Sequence, residues 1–88
     1  MTAYQLLYKK PVAKDIQRLP KPIKKRLKLK LEWFINQTDP LQFAEPLTKP
    51  ADAQYRFRVG NYRILFDIDG QNIVVLHIQH RKDIYRGR

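Results

Sequence analysis

Six side chains in the second half of the chain have the types and spacing to act on a phosphodiester. They are Arg56, Arg58, Arg63, His80, Arg81 and Tyr85. Guanidinium groups bind phosphate oxygens in a bidentate manner and stabilise charge that develops on them. Tyr or His can transfer protons. The set is suited to cleavage of RNA without a metal ion, because the RNA supplies its own nucleophile, the 2′-hydroxyl, and the protein need only orient the phosphate.

Other kinds of chemistry find little support in the composition. The sequence has two His and no Cys, and no pattern of metal ligands surrounds either His. Three glycines are too few and too badly spaced for a P-loop or a dinucleotide fingerprint. None of Thr2, Thr38 and Thr48 lies in a recognisable nucleophile motif. We therefore expect neither a cofactor nor a metal.

The charge indicates a polyanionic partner. Eighteen Lys and Arg oppose eight Asp and Glu in 88 residues, which gives a net charge of +10. For a domain this small, nucleic acid is the first candidate, followed by an anionic membrane surface and an acidic protein. The hydrophobic fraction of 43% supports a packed core, and the length predicts one domain over residues 1–88. No apolar run is long enough to span a bilayer, so a cytoplasmic protein is expected.

A β-hairpin positions the first three arginines. Apolar and polar residues alternate over residues 55–59 and 62–68, and Gly60-Asn61 between them suits a type II′ turn. This turn places Arg58 directly opposite Arg63, on the face away from the apolar side chains. Arg56 lies on the same face, which we call the arginine face. Like charges across a strand pair cost stability. We therefore favour an anionic ligand on this face over a solvated basic surface.

The remaining pattern completes the fold. It predicts a first strand over residues 3–8, helices over 11–19 and 22–36, a connecting loop over 38–52 and a last strand over 72–79. The expected order is β-α-α-β-β-β. We predict an α+β fold, an antiparallel sheet with the N-terminal helical hairpin packed on one face and the arginine face open.

Several side chains outside the arginine face have two interpretations. Lys24, Lys25 and Lys28 form either a solvated helix face or a ridge that contacts phosphates. For Trp33 we favour partly buried packing over a platform for base stacking. Three apolar residues of the loop are expected at the edge of the core: Leu41, Phe43 and Leu47.

Two segments together resemble a known family. Residues 55–64 read Tyr-Arg-Phe-Arg-Val-Gly-Asn-Tyr-Arg-Ile, and residues 80–86 read His-Arg-Lys-Asp-Ile-Tyr-Arg. They are similar to the RelE branch of the RelE/ParE toxin superfamily, and the resemblance covers the whole chain. It implies a ribosome-dependent mRNA endonuclease, held inactive by a RelB-like antitoxin from the same operon. The implied partners are this antitoxin, the ribosome and mRNA, and no membrane.

The resemblance also assigns roles by motif position. Arg63 and Arg81 match the arginines that contact the scissile phosphate, and Tyr85 matches the aromatic residue near the end of the last strand. Arg56 and Arg58 stand where the RelE pattern has lysines. An arginine can bind phosphate but is not a practical general base, so that role passes to Tyr85 or His80, or is missing. Packing is an open alternative for both His80 and Tyr85.

Two other functions remain open at this point. One is that of a ParE-like inhibitor of DNA gyrase that cuts nothing. The other is a non-catalytic basic binding module. The arginine face together with the His-Arg-Lys-Asp-Ile-Tyr segment favours the endonuclease.

Overall fold

A computed structural model describes residues 4–48 and 53–81, and they form two helices and a five-stranded sheet. In chain order the elements are β1 (Gln5–Tyr8), α1 (Lys10–Gln17), α2 (Lys21–Ile35), a 3₁₀ turn (Pro40–Phe43), β2 (Glu45–Pro46), β3 (Tyr55–Val59), β4 (Tyr62–Asp69) and β5 (Asn72–His80). The predicted α+β class and helical hairpin are confirmed.

Proline and apolar spacing define the helical hairpin. A proline occupies the first turn of each helix, where a missing N–H costs nothing. The apolar stripe of α2 contains Leu27, Leu31 and Phe34, all of which are buried. Within the described ranges, neither helix is long and apolar enough to cross a membrane.

The sheet has the order β1-β5-β4-β3-β2. The pairs β2–β3, β3–β4 and β4–β5 are antiparallel, as predicted. At the far edge β1 runs parallel to β5, so the sheet is mixed. This pairing is possible because the intervening chain, both helices included, provides the long connection that parallel strands need. Strand β2 lies within residues 38–52, where the sequence predicted only a connecting loop. It is two residues long and contains a proline, a residue tolerated at a sheet edge.

The β3–β4 hairpin has the predicted register and turn. Val59 lies opposite Tyr62, and Arg58 lies opposite Arg63. Gly60 has φ +58°, and no described residue other than glycine has positive φ. Positive φ at the first central position alone is typical of type II′, whereas type I′ requires it at both positions. The turn therefore fixes which side chains share a face.

A β-bulge interrupts the pairing of β4 with β5. Leu65 lies opposite His77. The next residue, Phe66, lies opposite Val75, which leaves Leu76 as the extra residue in β5. An extra residue reverses the in–out alternation along the rest of its strand. His77, whose direction the sequence did not determine, is consequently exposed on the face away from the helices.

The core lies between α2 and the inner face of the sheet. The ring of Phe34 is fully buried, with centroid distances of 3.8 Å to Phe57 and 5.8 Å to Phe66. Leu41 packs at the edge of this core as predicted. The same prediction was wrong for Phe43, which is 45% exposed and contacts Trp33 instead.

The core predicts a sharp contrast between two phenylalanines. Phe34→Ala should lower the free energy of unfolding by about 3–5 kcal/mol. Phe43→Ala removes the same ring from an exposed position and should cost no more than about 1.5 kcal/mol. Urea unfolding followed by circular dichroism measures both. Equal losses would contradict the packing of α2 on the sheet.

Candidate active site

An open pocket of about 330 Å³ lies at the turn end of the β3–β4 hairpin. Its lining consists of Arg58, Gly60, Asn61, Tyr62, Arg63 and Arg81. We call it the arginine pocket. Three arginines from three different chain segments line it, so the local field is positive and suited to a phosphate group.

Two backbone features bring these arginines together. The hairpin register sets Arg58 against Arg63. The amide of Arg81 donates a hydrogen bond to the carbonyl oxygen of Asn61 at 2.8 Å, which ties the end of β5 to the turn. Arg58 and Arg63 of the predicted arginine face therefore line the pocket together with Arg81, whereas Arg56 of that face does not line it.

The bulge at Leu76 also decides which side chain after β5 reaches the pocket. With uninterrupted alternation from Ile73, the side chain of His80 would share the arginine face and Arg81 would turn towards the core. Because of the extra residue, His80 lies opposite Tyr62 on the helix side, and Arg81 lines the arginine pocket. Bulges often re-aim side chains in this way next to functional sites.

His80 makes a packing contact on the helix side. Its ring meets that of Tyr62 edge to face, with centroids 4.8 Å apart and planes at 84°. It also borders a second cavity, of about 380 Å³, together with Asp15 and Leu19. This position favours the packing interpretation of His80, and the structure does not bring its ring into the arginine pocket. The proton-transfer role stays a prediction.

Glu45 is a member of the arginine face that the sequence analysis missed. Its Oε2 accepts a hydrogen bond from Nη2 of Arg56 at 2.9 Å, and its Oε1 lies 2.9 Å from Nε of Arg58. The contacts follow from the pairing of β2 with β3, which sets Glu45 opposite Arg56. A two-residue strand has no periodicity, so no sequence signal identified this pairing.

The carboxylate changes the electrostatics of the arginine face. Its hydrogen bond with Arg56, and the nearby charges of Arg56 and Arg58, lower the pKa of Glu45 below its usual value. Glu45 thus carries a negative charge between two of the arginines and offsets the repulsion expected between Arg58 and Arg63.

Arg56 is placed differently from the other arginines. Its side chain is only 21% exposed and does not line the arginine pocket. Its Nε is buried without a hydrogen-bond partner among the described residues. A half-buried guanidinium needs a counter-ion, and Glu45 supplies it. Arg56 is therefore tied into the sheet, and its predicted contact with substrate stays a prediction.

Two further predictions concern Tyr85 and metal binding. Tyr85 lies outside the described residues, so its catalytic and packing interpretations both stay predictions. Within residues 4–48 and 53–81, no three His, Asp or Glu side chains are grouped so as to hold a metal ion.

Comparison with known proteins identifies the family. The family model described as "ParE toxin of type II toxin-antitoxin system, parDE" matches residues 6–85. The chain is 36% identical to toxin RelE3 of Methanocaldococcus jannaschii over 92% of its own length and 94% of that protein. The chain belongs to the RelE-type toxins of type II toxin–antitoxin systems.

Other similarities agree with this placement. The RelE-type chain is 30% identical to toxin RelG of Mycobacterium tuberculosis, over 94% of the chain and 97% of that protein. A solved RelB-RelE antitoxin-toxin complex from Methanococcus jannaschii contains a chain with a TM-score of 0.69 and 32% identity, covering 92% of this chain and 96% of that one. The resemblance drawn from residues 55–64 and 80–86 is confirmed.

The ion pairs of Glu45 predict a pH-dependent contribution to stability. Since the pKa of Glu45 is lowered in the folded state, its contribution should be present above the usual value of 4.5 and disappear as pH falls through the lowered one. Glu45→Gln should therefore destabilise the toxin at neutral pH, and the difference from the unmodified chain should vanish in acid. Urea unfolding over this pH range measures it.

Glu32→Gln is the matched control for this prediction. Glu32 is exposed on α2 and makes no ion pair within the described residues, so its substitution should show no comparable pH-dependent gap. An identical pH dependence for the two variants would contradict a role for Glu45 as counter-ion.

Proposed function

We propose that this RelE-type toxin is a ribosome-dependent mRNA endonuclease that stops translation in the cytoplasm. The observation that carries the proposal is the convergence of Arg58, Arg63 and Arg81 in one open pocket. The helices pack on the other face of the sheet, so the pocket is accessible to a large substrate. Dependence on the ribosome follows from the resemblance to RelE.

The proposed chemistry is transesterification within the RNA. The 2′-oxygen attacks the adjacent phosphorus, the bond to the 5′-oxygen breaks, and a 2′,3′-cyclic phosphate and a 5′-hydroxyl result. Negative charge grows on the phosphate oxygens in the transition state. Arg63 and Arg81 are the groups proposed to stabilise this charge, since preorganised donors act most strongly where charge develops. No metal ion is required in this scheme.

The proposed reaction also requires two proton transfers. The 2′-hydroxyl must lose a proton, and the 5′-oxygen must gain one. Tyr85 and His80 are the groups proposed for these steps, and His80 would have to leave its contact with Tyr62. Glu45 adds a carboxylate beside Arg58, but its lowered pKa makes it a weak base.

Arg81→Ala tests the electrostatic role directly. We expect cleavage of ribosome-bound mRNA to slow by roughly a hundred- to a thousandfold, the effect of losing one preorganised donor. Ribosome binding should change little, because backbone affinity is spread over many cations. Lys14→Ala, at an exposed position of α1, is the matched control and should cleave at the original rate.

The chemical step can be checked on the same messages. A 2′-deoxy sugar at the cut site should abolish cleavage, because the nucleophile is missing. Chelators should leave the rate unchanged once ribosome integrity is controlled. Cleavage of the deoxy substrate at an undiminished rate would rule out transesterification and indicate hydrolysis by water.

An antitoxin is the second proposed partner. The structurally similar chain in the RelB-RelE complex is bound to its antitoxin, and the present chain carries a net charge of +10. We infer a partner whose binding segment is amphipathic and acidic, because complementary charge accelerates and orients association.

Co-expression measures this partnership. The product of the neighbouring gene should restore growth to cells that make the toxin, and the purified complex should form more slowly as salt is raised. A neighbouring product that neither binds nor restores growth would remove most of the support for an antitoxin encoded beside it.

One observation favours a second function, inhibition of DNA gyrase. The matching family model is described as a ParE toxin. A supercoiling assay with purified gyrase and a translation assay with primer extension separate the two functions. The arginine pocket favours RNA cleavage, since an inhibitor that breaks no bond has no need for preorganised charge around one phosphate.

A further inference from the structure

A second groove, of about 400 Å³, lies beside the arginine pocket. Its lining consists of Arg26, Leu29, Lys30, Trp33, Arg58, Val59 and Gly60. We call it the α2 groove. It shares Arg58 and Gly60 with the arginine pocket, so the two surfaces are continuous around the tip of the hairpin.

The lining of the α2 groove combines apolar and cationic groups. Leu29 is 57% exposed and Trp33 is 41% exposed, and because both line the same groove they form an apolar patch rather than isolated exposed side chains. The cations Arg26, Lys30 and Arg58 border them, and no acidic residue is in the lining. A ligand that matches this groove has a flat apolar part and a negative charge.

Arg26 connects the groove to the hairpin. A Cβ at position 60 would lie 3.0 Å from Nη2 of Arg26, so the guanidinium rests directly against Gly60. Arg26 therefore reaches from α2 to the turn and extends the positive surface of the arginine pocket onto the helix. In a nucleic-acid strand that runs from the arginine pocket towards α2, the next phosphate would therefore lie near Arg26.

Trp33 is held in place within the groove. Its ring meets Phe43 edge to face, with centroids 5.0 Å apart. The ammonium group of Lys30 lies 4.7 Å from the centre of the Trp33 ring. A base can replace this flexible ammonium on the ring, and the lysine then remains close enough to contact the phosphate of the same nucleotide.

We propose that the α2 groove binds a nucleotide of single-stranded RNA that flanks the phosphate held in the arginine pocket. Trp33 stacks on the base, and Arg26 contacts the phosphate that lies between the two sites. Stacking on an aromatic ring combined with a cationic track is how proteins bind single strands without reading sequence. The assignment of the neighbouring phosphate rests on the proposed endonuclease function, whereas binding in the groove can be measured separately.

Trp33 provides a direct probe because it is the only tryptophan in the chain. A short RNA oligonucleotide with 2′-O-methyl sugars cannot undergo transesterification and reports binding alone. Titration of the full chain with this RNA should quench Trp33 fluorescence, and the apparent affinity should fall as salt is raised. Unchanged fluorescence at RNA concentrations that saturate binding, measured by anisotropy, would overturn the proposal.

Two pairs of variants test the two parts of the groove. Arg26→Ala should reduce the slope of log affinity against log salt by about 0.7, the value for one phosphate contact on a single strand. Lys14→Ala is the control, because Lys14 is exposed on α1 and lines neither the α2 groove nor the arginine pocket. Its slope should be unchanged.

The second pair isolates stacking from packing. Trp33→Leu keeps apolar bulk and removes the aromatic ring, and it should weaken RNA binding by roughly five- to a hundredfold. Trp33→Phe keeps a ring and should restore most of the affinity. Thermal unfolding of both variants confirms that they fold, and anisotropy of labelled RNA replaces fluorescence as the readout.

The outcomes separate this proposal from its rivals. Equal effects of Arg26→Ala and Lys14→Ala, or equal affinities of Trp33→Leu and Trp33→Phe, would overturn it. Groove variants that bind RNA normally but lose binding to an acidic protein partner would make the groove a protein interface instead. If the unmodified chain does not cleave ribosome-bound mRNA but RNA still quenches Trp33 fluorescence, the endonuclease proposal is wrong. The proposed nucleotide site would then still be supported.

Discussion

The in–out alternation of the sheet is the constraint on which the rest of the structure depends. One face must cover the α2 stripe, so every side chain on β3, β4 and β5 is assigned to the core or to the open face. The two-residue turn at Gly60 fixes this assignment for the hairpin, and the bulge at Leu76 resets it for the end of β5. These two backbone features, rather than a stretch of consecutive residues, decide which side chains line the arginine pocket.

Charge is the second constraint, because the alternation gathers cations that repel one another. Arg58 and Arg63 are direct neighbours across the hairpin, and Arg56 is half-buried next to them. The carboxylate of Glu45 compensates part of this charge from the edge strand. It contacts Arg58 through Nε, and Arg58 still lines the arginine pocket. A single acidic side chain can thus stabilise the arrangement without filling the site.

The sequence predicted the features that depend on local periodicity. The two helices, the hairpin register and the convergence of Arg58 with Arg63 all follow from spacing and a turn motif. It did not predict Glu45 on the arginine face, because a two-residue edge strand has no period to detect. The sequence also did not predict the direction of the His80 side chain. A β-bulge depends on how the strand pairs with its partner, and its one extra residue moves every later side chain of the strand to the opposite face. The exposure of Phe43 depends on tertiary packing with Trp33, which spacing does not encode.

The presence of arginine where the RelE pattern has lysine has a consequence for the whole site. An arginine keeps its charge throughout the working range of proteins, whereas a lysine can lose it when buried. Arg56 and Arg58 therefore cannot alternate between binding a phosphate and accepting a proton. In the proposed RNA cleavage, a group other than these two arginines must then accept the proton of the 2′-hydroxyl. The proposal thus assigns phosphate binding and proton transfer to different residues, two tasks that one lysine could combine.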